Sequence, residues 1–312
     1  AALLEGLPSN LLKLSAGIAA AVVLLSILLS RMLTRKISTL LTAIRKVRAG
    51  AYEHRTHISG RDEIAQIGEE FNSLTDRLQT TETLRRRFVS DASHELKTPL
   101  AAIRLLTDSI LQTDQMDMET VRDFVTDIGS EAERLSRITE DLLRLTRLDS
   151  DLLDAPETVE VAPVLEQVMR MMSLLAQEKG TELTYRMEEN CRVSATKGEV
   201  HQVIYNLTDN AVKYSGKNGK VRVELRHEDH DVMLTVADNG PGIPEEDLPK
   251  VFERFYRVDK ARSRAAGGTG LGLSIVQDTV KKRGGTVSAA NRAGGGAVFT
   301  VRWPEAEGGD HS

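Results

Sequence analysis

Cysteine is almost missing from this chain. Cys191 is the single one among 312 residues, so no disulfide forms within the chain, and a cytosolic setting for most of it is permitted. Aromatic residues are scarce at 4 %, while charged residues make up 28 %. That balance argues against a large aromatic core and suits long helices. Excess positive charge is lacking as well. The formal net charge is −5, so no overall basic field marks a nucleic-acid binder. Neither the G-x-x-x-x-G-K-S/T phosphate loop nor a protein-kinase glycine loop occurs, which removes two common phosphate scaffolds. The chain opens at Ala1 without methionine, as expected of a piece of a longer protein.

One long hydrophobic run is present. Leu14 to Ser30 is seventeen residues without a charge, between Lys13 and Arg31. With Leu11, Leu12, Met32 and Leu33 it reaches bilayer length, provided Lys13 snorkels. A transmembrane helix over 11–33, after an extracytoplasmic stub at 1–10, is expected. The alternatives are a signal-peptide core or a buried soluble helix, although no small-residue cleavage site follows. Arg31, Arg35, Lys36, Arg45, Lys46 and Arg48 follow the run, and only Glu5 and Lys13 precede it. The positive-inside bias places residues after about 33 in the cytoplasm, at the inner (cytoplasmic) membrane.

Two narrow apolar stripes come next. Ile37, Leu40, Ile44 and Val47 repeat at helical spacing, as do Ile64, Ile67, Phe71, Leu74 and Leu78 after a connector. Neither stripe can be buried by one chain, so pairing into a parallel four-helix bundle is expected. Gly50 and Asp62-Glu63-Ile64 at this position resemble a HAMP relay domain, over 34–83; a plain coiled-coil stalk is the alternative. His54 and His57 in the connector have no further ligand nearby in sequence and are read as solvated.

The centre of the chain is Phe88-Val-Ser-Asp-Ala-Ser-His94-Glu95-Leu-Lys97-Thr98-Pro99-Leu100. Val89, Ala92, Leu96, Leu100 and Ile103 form a helical stripe. His94 lies off it and should face solvent or a partner, which suits nucleophilic work by one ring nitrogen. Pro99 should bend the helix just after His94. A second helix carries Val121, Phe124, Ile128, Leu135, Ile138, Leu142 and Leu145, so a helical hairpin over 84–150 is expected to pair with a second copy.

After a linker ending at Pro156, the texture changes to alternating helices and strands. A short strand near Val159–Val161 should precede a helix over Pro163–Lys179. Its inward face should hold Val164, Leu165, Val168, Met172 and Leu175, with Gly180 as its stop. Met169, Met171 and Met172 read as core filling. A strand over 181–187, a helix over Glu199–Tyr214, strands over 221–225 and 232–236 and closing strands over 286–290 and 297–303 complete the pattern. His227 and His230 should sit on a turn.

Asn206 and Asn210 are four apart on one helix face, with Lys213 close by, a set able to hold hydrated Mg²⁺ with phosphates. The strand ending at Asp238 runs into Asn-Gly240-Pro-Gly242, where glycines admit a ligand close to the backbone and a carboxylate can accept from an adenine amino group. Gly267-Gly268-Thr269-Gly270-Leu271-Gly272 opens a helix whose N–H groups suit phosphate. Lys260, Arg262 and Arg264 lie on a segment that reads as a lid.

Ser-His-Glu-Leu-Lys-Thr-Pro-Leu resembles the phospho-acceptor box of sensor histidine kinases of the H-E-x-x-T-P class. Asn206-Leu-Thr-Asp-Asn210-Ala-Val-Lys213-Tyr214 resembles their N box, Asp238-Asn-Gly240-Pro-Gly242 the first glycine box, Phe252-Glu-Arg254-Phe255-Tyr-Arg257 the F box, and Gly268-Thr269-Gly270-Leu271-Gly272 the second glycine box. The boxes stand in family order.

The resemblance implies a multidomain protein: the transmembrane helix, all-α helical-bundle HAMP and dimerisation domains, then an α+β two-layer sandwich of the GHKL (Bergerat) type over 151–304, with a tail at 305–312. It implies ATP and Mg²⁺ as cofactors, with Asn206 and Asn210 toward the metal and Lys213, Tyr214 and the glycine boxes toward the nucleotide. His94 would be phosphorylated, Glu95 would orient the imidazole or take its proton, and Thr98 matches the position linked to the reverse phosphatase activity. The implied partners are a second copy, the membrane and a response-regulator receiver domain, with no nucleic acid. Two alternatives stand beside it: a GHKL ATPase without phosphotransfer, in which Glu199 would serve as a base, and a non-catalytic scaffold.

Overall fold

The computed structural model describes residues 7–113, 116–149, 155–216, 218–259 and 268–306. It divides into two compact units, 1–89 and 90–312.

The first unit is helical. Helix α1 (Leu7–Arg48) carries the apolar run, long and apolar enough to cross a membrane from Lys13 onward, and leaves it uncovered, with Leu24 64 % exposed. The run and the first heptad stripe form one helix. Helix α2 (Glu63–Gln112) likewise joins two segments that the sequence divides at 83/84. No glycine or proline stands between Gly68 and Pro99, so nothing there breaks the helix. Pro99 lies buried inside it.

In the connector, Lys36 Nζ meets Asp62 Oδ2 at 2.6 Å, and the Asn72 side chain holds both the N–H and the C=O of Thr56 at 2.9 Å. Small side chains, Ala43 and Ala65, are buried, while Ile67, Leu74 and Leu78 stay exposed.

In the second unit, helix α3 (Met118–Asp149) follows and reaches back to α2 through Arg134, which donates to Glu95. Asp117 caps it, accepting from Thr120 N at 2.8 Å, as a side chain at a helix start commonly does. Ile138 and Leu145 are fully buried, whereas Leu100, Leu105 and Val125 are exposed. The linker residues 150–154 lie outside the described residues.

The remainder is a two-layer α/β domain. Strand β1 (Glu157–Glu160) pairs antiparallel with β3 (Arg192–Ala195). Helix α4 (Val161–Glu178) follows, with Pro163 in its first turn, where no N–H is required. Strand β2 (Glu182–Met187), helix α5 (Lys197–Tyr214), strands β4 (Lys220–Glu228) and β5 (Asp231–Asp238), helix α6 (Gly272–Lys282) and strands β6 (Thr286–Asn291) and β7 (Ala297–Pro304) complete it. The sheet order is β2-β4-β5-β7-β6, with β2–β4 parallel and the other pairs antiparallel.

Burial alternates along β4 (Val221, Val223, Leu225) and β7 (Ala297, Phe299, Val301, Trp303). One sheet face is therefore covered by α4, α5 and α6, and the other meets solvent. Met169 and Met172 fill the core, but Met171 and Leu175 do not; the helical turn carries them off the inward face, where each is about 40 % exposed. His227 lies within β4 opposite Val232 rather than on the turn. Cys191 is fully buried, which pushes its thiol up to about 11.

Glu199 is a structural residue. Thr196 Oγ1 accepts from Glu199 N, and Glu199 Oε2 accepts from Thr196 N at 2.8 Å, a reciprocal cap at the start of α5. Arg283 donates to both carboxylate oxygens, at 3.0 and 2.8 Å. A carboxylate so engaged is not free to act as the base of the hydrolytic alternative. Glu199→Ala removes the cap and both of these bonds to a nearly buried guanidinium. It should lower unfolding free energy by about 2–4 kcal/mol in a denaturant titration.

Candidate functional site

A cavity of about 560 Å³ opens beside α5, a size within the range of small-molecule sites. Asn206, Asn210, Lys213, Tyr214, Asp238, Gly242, Gly268, Thr269, Gly270 and Gly272 all line it. The residues singled out in the N and glycine boxes thus converge. Gly240 and Leu271 do not line it; they shape it from behind. Leu271 is fully buried in the core and donates its backbone N–H to Thr269 Oγ1 at 3.2 Å. A Cβ on Gly240 would come 2.3 Å from the Tyr214 carbonyl oxygen, so β5 and α5 approach this closely only with glycine there.

Asp238 is 4 % exposed. Its Oδ1 accepts from Gly240 N at 2.8 Å and Ala297 N at 3.3 Å. Burial pushes its carboxyl above the usual range, and these two bonds pull it back. The carboxylate is thereby fixed in one orientation at the cavity wall. Gly270 has φ +74°, and its carbonyl accepts from Phe255 N at 2.8 Å. Phe255 itself has φ +62°, an uncommon conformation for a bulky side chain, held where the F box meets the second glycine box. Lys213 is paired with Asp209 at 2.6 Å, a partner one helical turn away. Lys260, Arg262, Arg264 and Gly267 lie outside the described residues.

The opposite wall comes from the hairpin. Arg137, Glu140, Asp141 and Arg144 of α3 line the same cavity. Thr269 Oγ1 donates to Asp141 Oδ2 at 2.8 Å, and Lys282 Nζ donates to the Leu148 carbonyl at 2.7 Å. His94 is exposed on α2. Its neighbour Glu95 accepts from Arg134 Nη2 at 3.1 Å and from Arg257 Nη2 at 3.0 Å, both on Oε2. Burial lowers the Arg257 guanidinium below its usual value, and the Glu95 charge restores part of it. Thr98 Oγ1 donates to the His94 carbonyl at 3.1 Å.

Sequence reasoning missed Asp141, Arg144 and Gln202, and assigned no role to Arg257. The partners of Asp141, Arg144 and Arg257 stand far away along the chain, so no local spacing marks them; Gln202 stands four before Asn206, a helical step that the sequence does carry.

Burial raises the Asp141 carboxyl above its free value, outweighing the hydrogen bond from Thr269. A raised carboxyl contributes its full stability below the free value of about 3.9, and loses it as pH rises through the raised one. Asp141→Asn keeps an acceptor for Thr269 without the buried charge. The variant should melt above the wild type at neutral pH, with the difference closing by about pH 4.

Three family models match the chain in tandem. Residues 28–80 match the HAMP domain, 84–151 the His Kinase A (phospho-acceptor) domain, and 196–307 the histidine kinase-, DNA gyrase B-, and HSP90-like ATPase. Signal transduction histidine-protein kinase BaeS of Escherichia coli (strain K12) is 31 % identical over 283 residues, which cover 90 % of this chain and 60 % of BaeS. The corresponding kinase AfsQ2 of Streptomyces coelicolor is 34 % identical over 318 residues, covering 95 % and 58 %. Among solved structures, full-length ShkA in complex with AMPPNP aligns with a TM-score of 0.52 at 29 % identity, over 72 % of this chain and 46 % of that one. The chain thus spans about three-fifths of the length of the curated relatives it matches.

Proposed function

The chain belongs to the sensor histidine kinases, and on that footing we propose that it is a membrane-anchored kinase that phosphorylates His94 from ATP and passes the phosphoryl group to an aspartate of a response-regulator receiver domain. The observation that carries this reading is the shared cavity. One wall is the ATPase fold, and the other is helix α3 of the hairpin that bears His94.

The donor set fits ATP with a divalent cation. The oriented Asp238 carboxylate accepts from the adenine amino group. Gly242 leaves room for the base, and the N–H groups of Gly268, Thr269, Gly270 and Gly272, at the start of α6, serve the phosphates. The amide oxygens of Asn206 and Asn210 are hard ligands suited to magnesium. That ion, when bound, neutralises charge on the phosphate oxygens during transfer.

A ring nitrogen of His94 attacks the γ-phosphorus. The N–P bond forms as the bond to the β–γ bridging oxygen breaks, and ADP leaves. Glu95 holds or takes the proton of the other ring nitrogen. Both of its arginine bonds fall on Oε2, so Oε1 is the oxygen to meet the imidazole. Thr98 serves the reverse reaction, removal of phosphate from the regulator.

Two further features support the assembly. Val89 and Leu100 are each more than half exposed, as are Leu74 and Leu105, and a second copy of the chain would cover these stripes. Helix α1 has a mean hydropathy of 2.2 in its apolar window, in keeping with a membrane span at the inner membrane and a cytoplasmic remainder.

Incubation with γ-labelled ATP and Mg²⁺ tests the reading. Acid-labile, alkali-stable label on the protein is expected. Free phosphate without labelled protein would instead indicate an ATPase, and neither product a scaffold.

A further inference from the structure

A chain of hydrogen bonds runs from the hairpin into the cation site. Arg144 Nη1 of α3 donates to Gln202 Oε1 on α5. Gln202 Nε2 donates to Asn206 Oδ1 at 2.8 Å, and Asn206 Nδ2 donates to the Gly272 carbonyl at 3.1 Å. We propose that Gln202, steered by Arg144, is a positioning residue for the cation ligand Asn206, so that docking of the hairpin on the ATPase domain sets the affinity for the divalent cation. The inference rests on the reading that Asn206 holds magnesium with ATP.

The reason lies in the two-sidedness of an amide. A half-turn about its last side-chain bond exchanges oxygen for NH₂. Only the oxygen can ligate a hard cation, so a free asparagine presents the wrong atom part of the time. Asn206 is held by two contacts of opposite sense, since its nitrogen donates and its oxygen accepts. The oxygen has two lone pairs. Gln202 takes one, which leaves one for the ion or a water bound to it.

Gln202 carries the same ambiguity. Reversed, it would set its own oxygen against Asn206 Oδ1 and push that amide over. The guanidinium of Arg144 removes the ambiguity because it has donors and no acceptor. It tolerates Gln202 only with Oε1 outward, and every amide down the line is then fixed. Gln202, Asn206 and Gly272 belong to the ATPase domain, and Arg144 belongs to the hairpin. The orientation of the cation ligand is thus read across the contact between them. By linkage, whatever hairpin docking does for the cation, the cation does for docking.

The test is a Mg²⁺ titration of the full chain with a fluorescent non-hydrolysable ATP analogue, read as bound nucleotide rather than activity, beside a measurement in EDTA. Gln202→Met, similar in volume but unable to hydrogen bond, and Arg144→Ala should each raise the Mg²⁺ midpoint about tenfold. Each should lose less nucleotide affinity in EDTA than with Mg²⁺ present. Arg144→Lys, which keeps a donor-only cation, should bring the midpoint most of the way back to the wild type.

Variant midpoints equal to the wild type overturn the inference and leave the kinase reading standing. So does an equal weakening with and without Mg²⁺, which marks a merely structural role. A wild type that binds no nucleotide, or binds it without regard to the cation, overturns the parent reading and this inference with it.

Discussion

His94→Gln should abolish acid-labile, alkali-stable labelling by γ-labelled ATP, a loss of at least about a thousandfold in rate, because an amide nitrogen cannot replace the imidazole as nucleophile. The fold should not suffer. His94 is exposed on the outer face of α2, and exposed helix substitutions of this kind change stability by no more than about 0.5 kcal/mol. Nucleotide affinity should also hold, since His94 does not line the cavity. Equilibrium binding of a fluorescent nucleotide beside the labelling assay checks both halves. Persistent label on the variant would move the acceptor elsewhere.

Asp238→Ala should remove adenine-nucleotide binding, by at least about a hundredfold, or near 3 kcal/mol. It should also destabilise the domain. The two N–H groups that Oδ1 accepts, from Gly240 and Ala297, would lose their acceptor beside a residue that is 4 % exposed. An orphaned buried donor costs about 1–3 kcal/mol. Asp238→Asn separates the two effects. Its amide oxygen can still accept from Gly240 and Ala297 without the buried charge, so the melting temperature at neutral pH should be no lower than that of the wild type. Its NH₂ would face the adenine amino group donor to donor, so binding should still fall. Isothermal titration with ATP analogues, beside thermal melts, distinguishes the pair.

The legible parts of this chain were those written in short-range pattern. The stripe Val89–Ile103 told of a helix with His94 off its apolar face, and the structure leaves His94 exposed. The four-residue step from Asn206 to Asn210 put both amides on one wall, and both line the cavity. The glycines of 240–242 and 268–272 announced close backbone approach, and a Cβ at Gly240 would indeed strike the Tyr214 carbonyl.

Less legible was whatever depends on distant residues meeting. Strand β3 is four residues long and pairs with β1 across a whole helix, too short to show a period. Glu95 meets Arg257 from 162 positions away, and Thr269 meets Asp141 from 128. Neither pairing has a local signature. Glu199 looked like a candidate base because its position near the α5 start was visible and its partner Arg283 was not. The helix that the sequence starts near Leu84 runs on unbroken from Glu63, since a backbone without glycine or proline from 69 to 98 has no reason to leave the helix at 83/84.

Site mapping of the phosphorylated wild-type chain under alkaline conditions would go straight to the geometry at stake, an exposed imidazole beside a nucleotide cradle shared by two domains. After reaction with ATP and Mg²⁺, the phosphoryl group should be found on the His94 ring within the peptide around Phe88–Leu100. Phosphate on a hydroxyl or carboxylate instead, or released to solvent with His94 unmodified, would contradict it.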